Sequence, residues 1–198
     1  MAKIQRKLWG GILEYQEDDL PSDVRSFNVF GKSGFLWLET SGALHRAAMS
    51  LMEENEKPKP QITRTINAPI ALMLGGYAVE TLLKMVIING YCDEHGFTLD
   101  SRKAKELFPI THDLPKLVKQ AKLRVSKADR DVLAALSEFS IWAGRYPIPL
   151  GAMGYDGPAI FAYIAPGKRA MEHPMWRKYA PLYLKLHRLA VRRVRQPQ

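Results

Sequence analysis

Residues 68–88 read Ala68-Pro-Ile-Ala-Leu-Met-Leu-Gly-Gly-Tyr-Ala-Val-Glu-Thr-Leu-Leu-Lys-Met-Val-Ile-Ile88, and the fold turns on this stretch. It is long enough to span a bilayer. Yet Glu80 and Lys84 sit inside it, and Gly75-Gly76 interrupts its apolar run. Each charge placed at a bilayer centre costs about 3 kcal/mol or more, so the stretch is predicted to be a buried central helix. Proline suits a first helical turn, and Asn89-Gly90 supplies a C-terminal stop, which predicts a helix from Pro69 to Asn89. A helix apolar nearly all round should be the most buried element of the fold.

On its N-terminal side, Leu36, Ala43, Ala47 and Leu51, with Leu44 and Ala48, recur at helical spacing. They predict a helix over 33–54, capped by Ser33 and ended by Lys57-Pro58-Lys59-Pro60. Residues 1–32 show no sustained period and read as an irregular arm with a short helix or strand near Leu8–Tyr15. On the C-terminal side, 91–110 reads as a polar connection with one helical turn over 101–107. Asp113 is then a suitable N-cap for a third helix, with Pro115 in its first turn and Leu114, Leu117, Val118 and Ala121 inward. Ser126 caps a fourth helix running from Lys127 to about Ala143. Its core candidates are Val132, Leu133, Leu136, Phe139, Ile141 and Trp142. Ten glycines and prolines between Gly144 and Pro174 break any long helix there, although 159–164 could be extended. A last helix over 175–195 puts Leu182, Leu186, Leu189 and Ala190 on one face.

The expected fold is all-α, an up-and-down bundle of four to five helices in one domain over 1–198. Within it, 1–32 is the arm, 33–147 the bundle core, 148–174 a long loop and 175–195 the last helix.

Composition narrows the function classes. With 198 residues, 46% of them hydrophobic and 25% charged, the chain is globular rather than disordered. A single cysteine, Cys92, excludes an intrachain disulfide and a cysteine-based zinc site. The five histidines show no close ligand spacing, so neither metal nor cofactor is expected. Residues 1–16 contain no continuous apolar segment of the secretory kind, which makes cytoplasmic localisation the expectation. The net charge of +9 is lopsided. Residues 1–100 hold ten basic and thirteen acidic side chains, whereas 101–198 hold nineteen and seven. Such asymmetry fits contact with nucleic acid or another polyanion, and equally a solvated basic face.

Phe30-Gly31-Lys32-Ser33 has the ending of a phosphate-binding loop, but Ser26 stands where the motif needs its first glycine. The match is rejected. Glu80 and Lys84 lie one helical turn apart, acid before base, in an apolar surround that demands partners for both. They form either an internal register-fixing pair or part of a polar cleft. In His112-Asp113-Leu114, Asp113 can cap a helix while His112 is either a hydrogen-bonded structural residue or a cleft proton carrier. Arg145-Tyr146-Pro147 closes the fourth helix. Arg145 either offsets the helix dipole or clamps a carboxylate or phosphate. Lys185, Arg188, Arg192 and Arg195 line one side of the last helix. They read as a solvated face or as a track for a phosphate backbone. Trp176, Tyr179 and Tyr183 lie nearby, for core packing or for stacking on bases.

Gly76-Tyr-Ala-Val-Glu-Thr-Leu-Leu-Lys84, then Thr111-His-Asp-Leu114, then Arg145-Tyr-Pro147 resemble, in order and spacing, landmarks of bacterial HEPN-type proteins. The resemblance covers about 33–147 and, more loosely, the last helix. It implies an up-and-down helical bundle, often homodimeric, linked to RNA metabolism, toxin–antitoxin pairs or phage defence. Active members of that superfamily are metal-independent ribonucleases that use an arginine followed, after four to six residues, by a histidine. Here no histidine has an arginine at that distance before it; Arg169 and His173 come nearest, with three residues between. The sequence therefore points to a non-catalytic module that binds RNA, a nucleotide or a protein partner as a homodimer, away from membranes. An atypical ribonuclease using His112 and Arg145 with Glu80, and a structural interaction protein, are the alternatives. The candidate cleft comprises Glu80, Lys84, His112, Asp113, Arg145 and Tyr146; the candidate nucleic-acid surface comprises Lys185, Arg188, Arg192 and Arg195.

Overall fold

The computed structural model describes residues 6–8, 11–13, 34–56, 61–95, 111–143 and 174–195. Among these the architecture is all-helical apart from one small hairpin. The hairpin pairs β1 (Arg6–Leu8) with β2 (Gly11–Leu13) antiparallel, Lys7 opposite Ile12. Five helices follow: α1 (Gly34–Glu56), α2 (Gln61–His95), α3 (Leu114–Gln120), α4 (Lys127–Glu138) and α5 (Pro174–Arg195). A π-helical turn, Phe139–Ala143, continues α4. The expectations for 1–5, 14–33, 96–110 and 144–173, including the Ser33 cap and the extended piece at 159–164, lie outside the described residues.

The central helix is α2, which packs along α1 most extensively and also against α5, the π-helical turn, α3 and α4. Ala71, Leu72, Ala78, Val79, Leu82, Leu83, Met85, Val86, Ile87 and Ile88 are all buried. By length and composition the segment Asn67–Tyr91 could cross a membrane, but 67% of its most apolar window is buried within the protein. Two expected boundaries need correction. Pro69 lies inside the helix rather than in its first turn, and the helix runs through Asn89-Gly90 to His95. One proline removes one backbone hydrogen bond, and one glycine costs about 1 kcal/mol. The packing along α2 outweighs both.

Gly75-Gly76, which in sequence looks like an interruption, is where α5 and the end of α4 press on the backbone of α2. A Cβ at Gly75 would meet the Tyr179 ring of α5 at 2.8 Å, and one at Gly76 would meet Leu136 O at 3.0 Å and overlap Ser140 Oγ.

The inward stripe of α1 also differs from expectation. Ser41, Ala48 and Met52 are buried, with Leu44 and Leu51 packed beside them, while Leu36, Ala43 and Ala47 are exposed. Alanine fits either side of a helix at little cost, so the two alanines did not define the face.

Local chemistry fixes α3 and α4. Asp113 Oδ1 accepts from Lys116 N at 2.9 Å, capping α3 with Pro115 in the first turn. The helix ends on Lys122, whose φ of 54° is left-handed, and there Leu123 N donates to Val118 O and Lys122 N to Lys119 O. This is a Schellman arrangement with lysine in the position glycine usually takes. Ser126 and Asp129 form a reciprocal capping box at the start of α4. Ser137 Oγ donates to Leu133 O and accepts from Leu114 N, so it satisfies an amide at the start of α3.

Candidate functional site

Glu80 projects from the middle of α2 with its side chain only 8% exposed. Its two oxygens are taken separately. Lys84 Nζ donates to Oε1 at 2.6 Å, and His112 Nδ1 lies 2.8 Å from Oε2. The i,i+4 spacing on α2 delivers the lysine. The cap of α3 delivers the histidine, because Asp113 fixes the chain direction one residue later. Tyr77, one turn before Glu80 on α2, sets its ring against the His112 imidazole at a centroid distance of 5.7 Å. It also donates its hydroxyl to the Ser140 carbonyl in the π-helical turn. Three segments thus converge on one polar spot.

An ionised carboxylate can only accept, so a neutral His112 must donate Nδ1–H to Glu80 and present Nε2 as an acceptor. His112 is one-third exposed, whereas Glu80 is almost fully covered. The arrangement holds an imidazole at a set tautomer and angle beside a cation, which suits it to hydrogen-bond a ligand or accept a proton.

Of the six residues expected to line a cleft, the structure brings together Glu80, Lys84 and His112. Asp113 is exposed and serves as the α3 cap. Arg145 and Tyr146 lie outside the described residues. On α5, Lys185, Arg188 and Arg192 are exposed, and the side chain of Arg195 is outside the described set. Lys185 is bound to Asp129 of α4. Burial raises the Asp129 carboxyl pKa, but hydrogen bonds from Lys185 and Ser126 outweigh it and hold the group below its ordinary value. Trp176, Tyr179 and Tyr183 are buried in the seam between α5 and the rest of the core. In this arrangement none of the three rings shows a face to solvent that a base could cover.

A second cluster escaped sequence reasoning. His45 Nδ1 lies 2.8 Å from the Tyr179 hydroxyl, and its ring stacks on Tyr183 at 3.9 Å and 10°. Ser41 Oγ donates to Ala78 O and sits 3.1 Å from the Tyr183 hydroxyl. His187 lies near Tyr183 on the same helix, with ring centroids 6.0 Å apart. Burial, then the neighbouring His187 and Arg46, push the His45 pKa down. Burial likewise pushes Tyr179 well up, and Tyr183 up by less because Ser41 and Arg46 work against it. The available signal was spacing: Ser41 and His45 are one turn apart, as are Tyr179, Tyr183 and His187.

Among the described residues no three His, Cys, Asp or Glu side chains gather as a metal site requires. No protein-family model, no curated protein and no solved structure matches the chain.

Proposed function

We propose that this protein is a non-catalytic, HEPN-like helical module whose helices run up and down and which binds RNA through the phosphate backbone. The observation that carries the reading is the outer face of α5. Arg188 and Arg192 are exposed there beside Lys185, on the side opposite the buried Trp176–Ala190 seam. They belong to the half of the chain in which basic residues outnumber acidic ones by nineteen to seven. Cations on one side of a helix can track a phosphate backbone without reading bases, which gives salt-sensitive, sequence-tolerant association. Homodimerisation and a toxin–antitoxin or defence context follow from the HEPN resemblance and belong to the same proposal, as does the cytoplasmic setting expected from the character of residues 1–16. A salt titration with generic single-stranded RNA tests it. Binding should weaken steeply between 50 and 200 mM salt, as expected when several phosphates are neutralised. No association at the lowest salt removes the proposal.

The 2.8 Å contact between Glu80 and His112 favours one second reading, an atypical metal-independent ribonuclease. In it a carboxylate-oriented imidazole accepts the ribose 2′-hydroxyl proton, with Arg145 as the cation at phosphorus. Purified protein is incubated with mixed RNA in excess chelator beside a His112→Ala control. Cleavage lost in the control supports this reading, and cleavage that is absent or unchanged ends it.

A further inference from the structure

The contact between His45 and Tyr179 does more than fill space. Tyr179 is fully buried, and its hydroxyl hydrogen needs an acceptor. Among the described residues that acceptor is His45 Nδ1, 2.8 Å away on α1. With the imidazole neutral, the phenol donates to Nδ1 and both groups are satisfied. If Nδ1 takes a proton it becomes a donor. The phenol must then turn, and its hydrogen loses its partner inside the core. Protonation also places a charge in a half-buried position, which burial disfavours, although the stacked Tyr183 face offsets part of that cost.

We propose that His45, Tyr179, Tyr183 and His187 form an acid-sensitive latch that fastens α5 to α1 near neutral pH and loosens when His45 is protonated. The groups that bear on His45 come from each side of it. Arg46 lies next to it on α1, while Tyr179, Tyr183 and His187 face it from α5. From α2 come the Ala78 carbonyl, held by Ser41, and the bare Cα of Gly75 against the Tyr179 ring. The cationic members, Arg46 and a protonated His187, both oppose a charge on His45. Burial opposes it further and is the largest effect. The sign follows directly. A histidine whose folded pKa lies below its unfolded value of 6.5 contributes its full stability above that pH. The contribution drains away as pH falls below 6.5 towards the folded value. The latch does not depend on what, if anything, α5 binds.

Two measurements on the full chain test it. Thermal melts at pH 7.5 and 5.5 compare the native protein with His45→Gln, whose amide oxygen can accept the Tyr179 proton at either pH. The acid-induced fall in Tm should be larger in the native protein than in His45→Gln, because only the native protein has an imidazole whose folded pKa lies below its unfolded one. An equal fall in both proteins overturns the proposal. NMR titration of the histidine ring protons should place the His45 midpoint below 6.5. His187→Gln should move that midpoint upward. A midpoint at or above 6.5, or one indifferent to His187→Gln, also overturns it. The titration needs no substitution at His45 and so decides the matter even if His45→Gln fails to fold.

Discussion

Glu80 Oε2 and His112 Nδ1 meet at 2.8 Å across 32 residues of chain, tying the middle of α2 to the residue just before the α3 cap. Because Lys84 takes the other oxygen, removing the carboxylate takes an ion-pair partner from Lys84 and a hydrogen-bond partner from His112 at once. Stranding a partner of a buried ion pair costs about 3–5 kcal/mol when both charges are dry. Here Lys84 and His112 keep 23% and 33% of their exposure, so water recovers part of the loss. Glu80→Ala should therefore destabilise the fold by about 2–3 kcal/mol. Glu80→Gln, which keeps one acceptor, should cost about 1–2 kcal/mol. Urea unfolding of both variants reads these values. A loss below half a kcal/mol for Glu80→Ala would show that the cluster contributes nothing to folding.

Lys122 adopts a left-handed backbone, φ 54°, at the point where α3 turns into the approach to α4. A residue with a Cβ pays about 1–2 kcal/mol for that conformation, and glycine does not. Lys122 has a further interaction, and glycine also loses more chain entropy on folding. Lys122→Gly should still stabilise the protein, by about 0.5–1 kcal/mol, the lower part of the strain being what remains. The change appears as a higher urea midpoint at unaltered slope. A lower midpoint would mean that the lysine's contacts outweigh the strain.

Arg188 and Arg192 lie four residues apart on the exposed side of α5, so their replacement by alanine leaves the core face untouched. If each neutralises one RNA phosphate, each substitution should weaken binding at every sequence alike. Each should also lower the magnitude of the logarithmic salt slope by about 0.7 for single-stranded RNA. Lys185→Ala should do less to binding and more to stability, because Lys185 is committed to Asp129. Fluorescence anisotropy across a salt series gives both quantities. Slopes unchanged in Arg188→Ala and Arg192→Ala would move the RNA contact off this face.

What the sequence disclosed follows the range over which each signal acts. The caps at Asp113 and Ser126 were legible because an N-cap depends on residues two or three positions away. The Glu80–Lys84 pair was legible for the same reason, and His112 because it adjoins a cap. The ends of α2 were not. Pro69 and Asn89-Gly90 carry the local marks of a helix start and stop, but the chain stays helical through both. The inward face of α1 was misread because Ser41 is buried by virtue of two hydrogen-bond partners, Ala78 and Tyr183, on other helices. His45 and Tyr179 meet across 134 residues. Nothing near either one in sequence announces the other.

The two glycines of α2 offer the sharpest test of how tightly this core is assembled. In a helix interior, Gly→Ala ordinarily stabilises by about 1 kcal/mol, because alanine gives up less chain entropy. At Gly76 the added methyl would overlap Ser140 Oγ and stand 3.0 Å from the Leu136 carbonyl. Ser140 is itself buried and gives its hydroxyl to Leu136 O, so neither atom moves freely. Overpacking of this kind costs about 1–3 kcal/mol, occasionally more, and with backbone in the way the upper end applies. Gly76→Ala should therefore be net destabilising by about 2 kcal/mol rather than stabilising. Adding Ser140→Gly removes the hydroxyl but leaves the Leu136 carbonyl. The double variant should accordingly recover part of the loss and not all of it. A double-mutant cycle on denaturant midpoints measures the coupling, and contact predicts a value of about 0.5–3 kcal/mol. If Gly76→Ala instead raised stability, α2 and the π-helical turn would have to sit farther apart than the structure places them, and Tyr77 could no longer reach the Ser140 carbonyl from the same turn of helix.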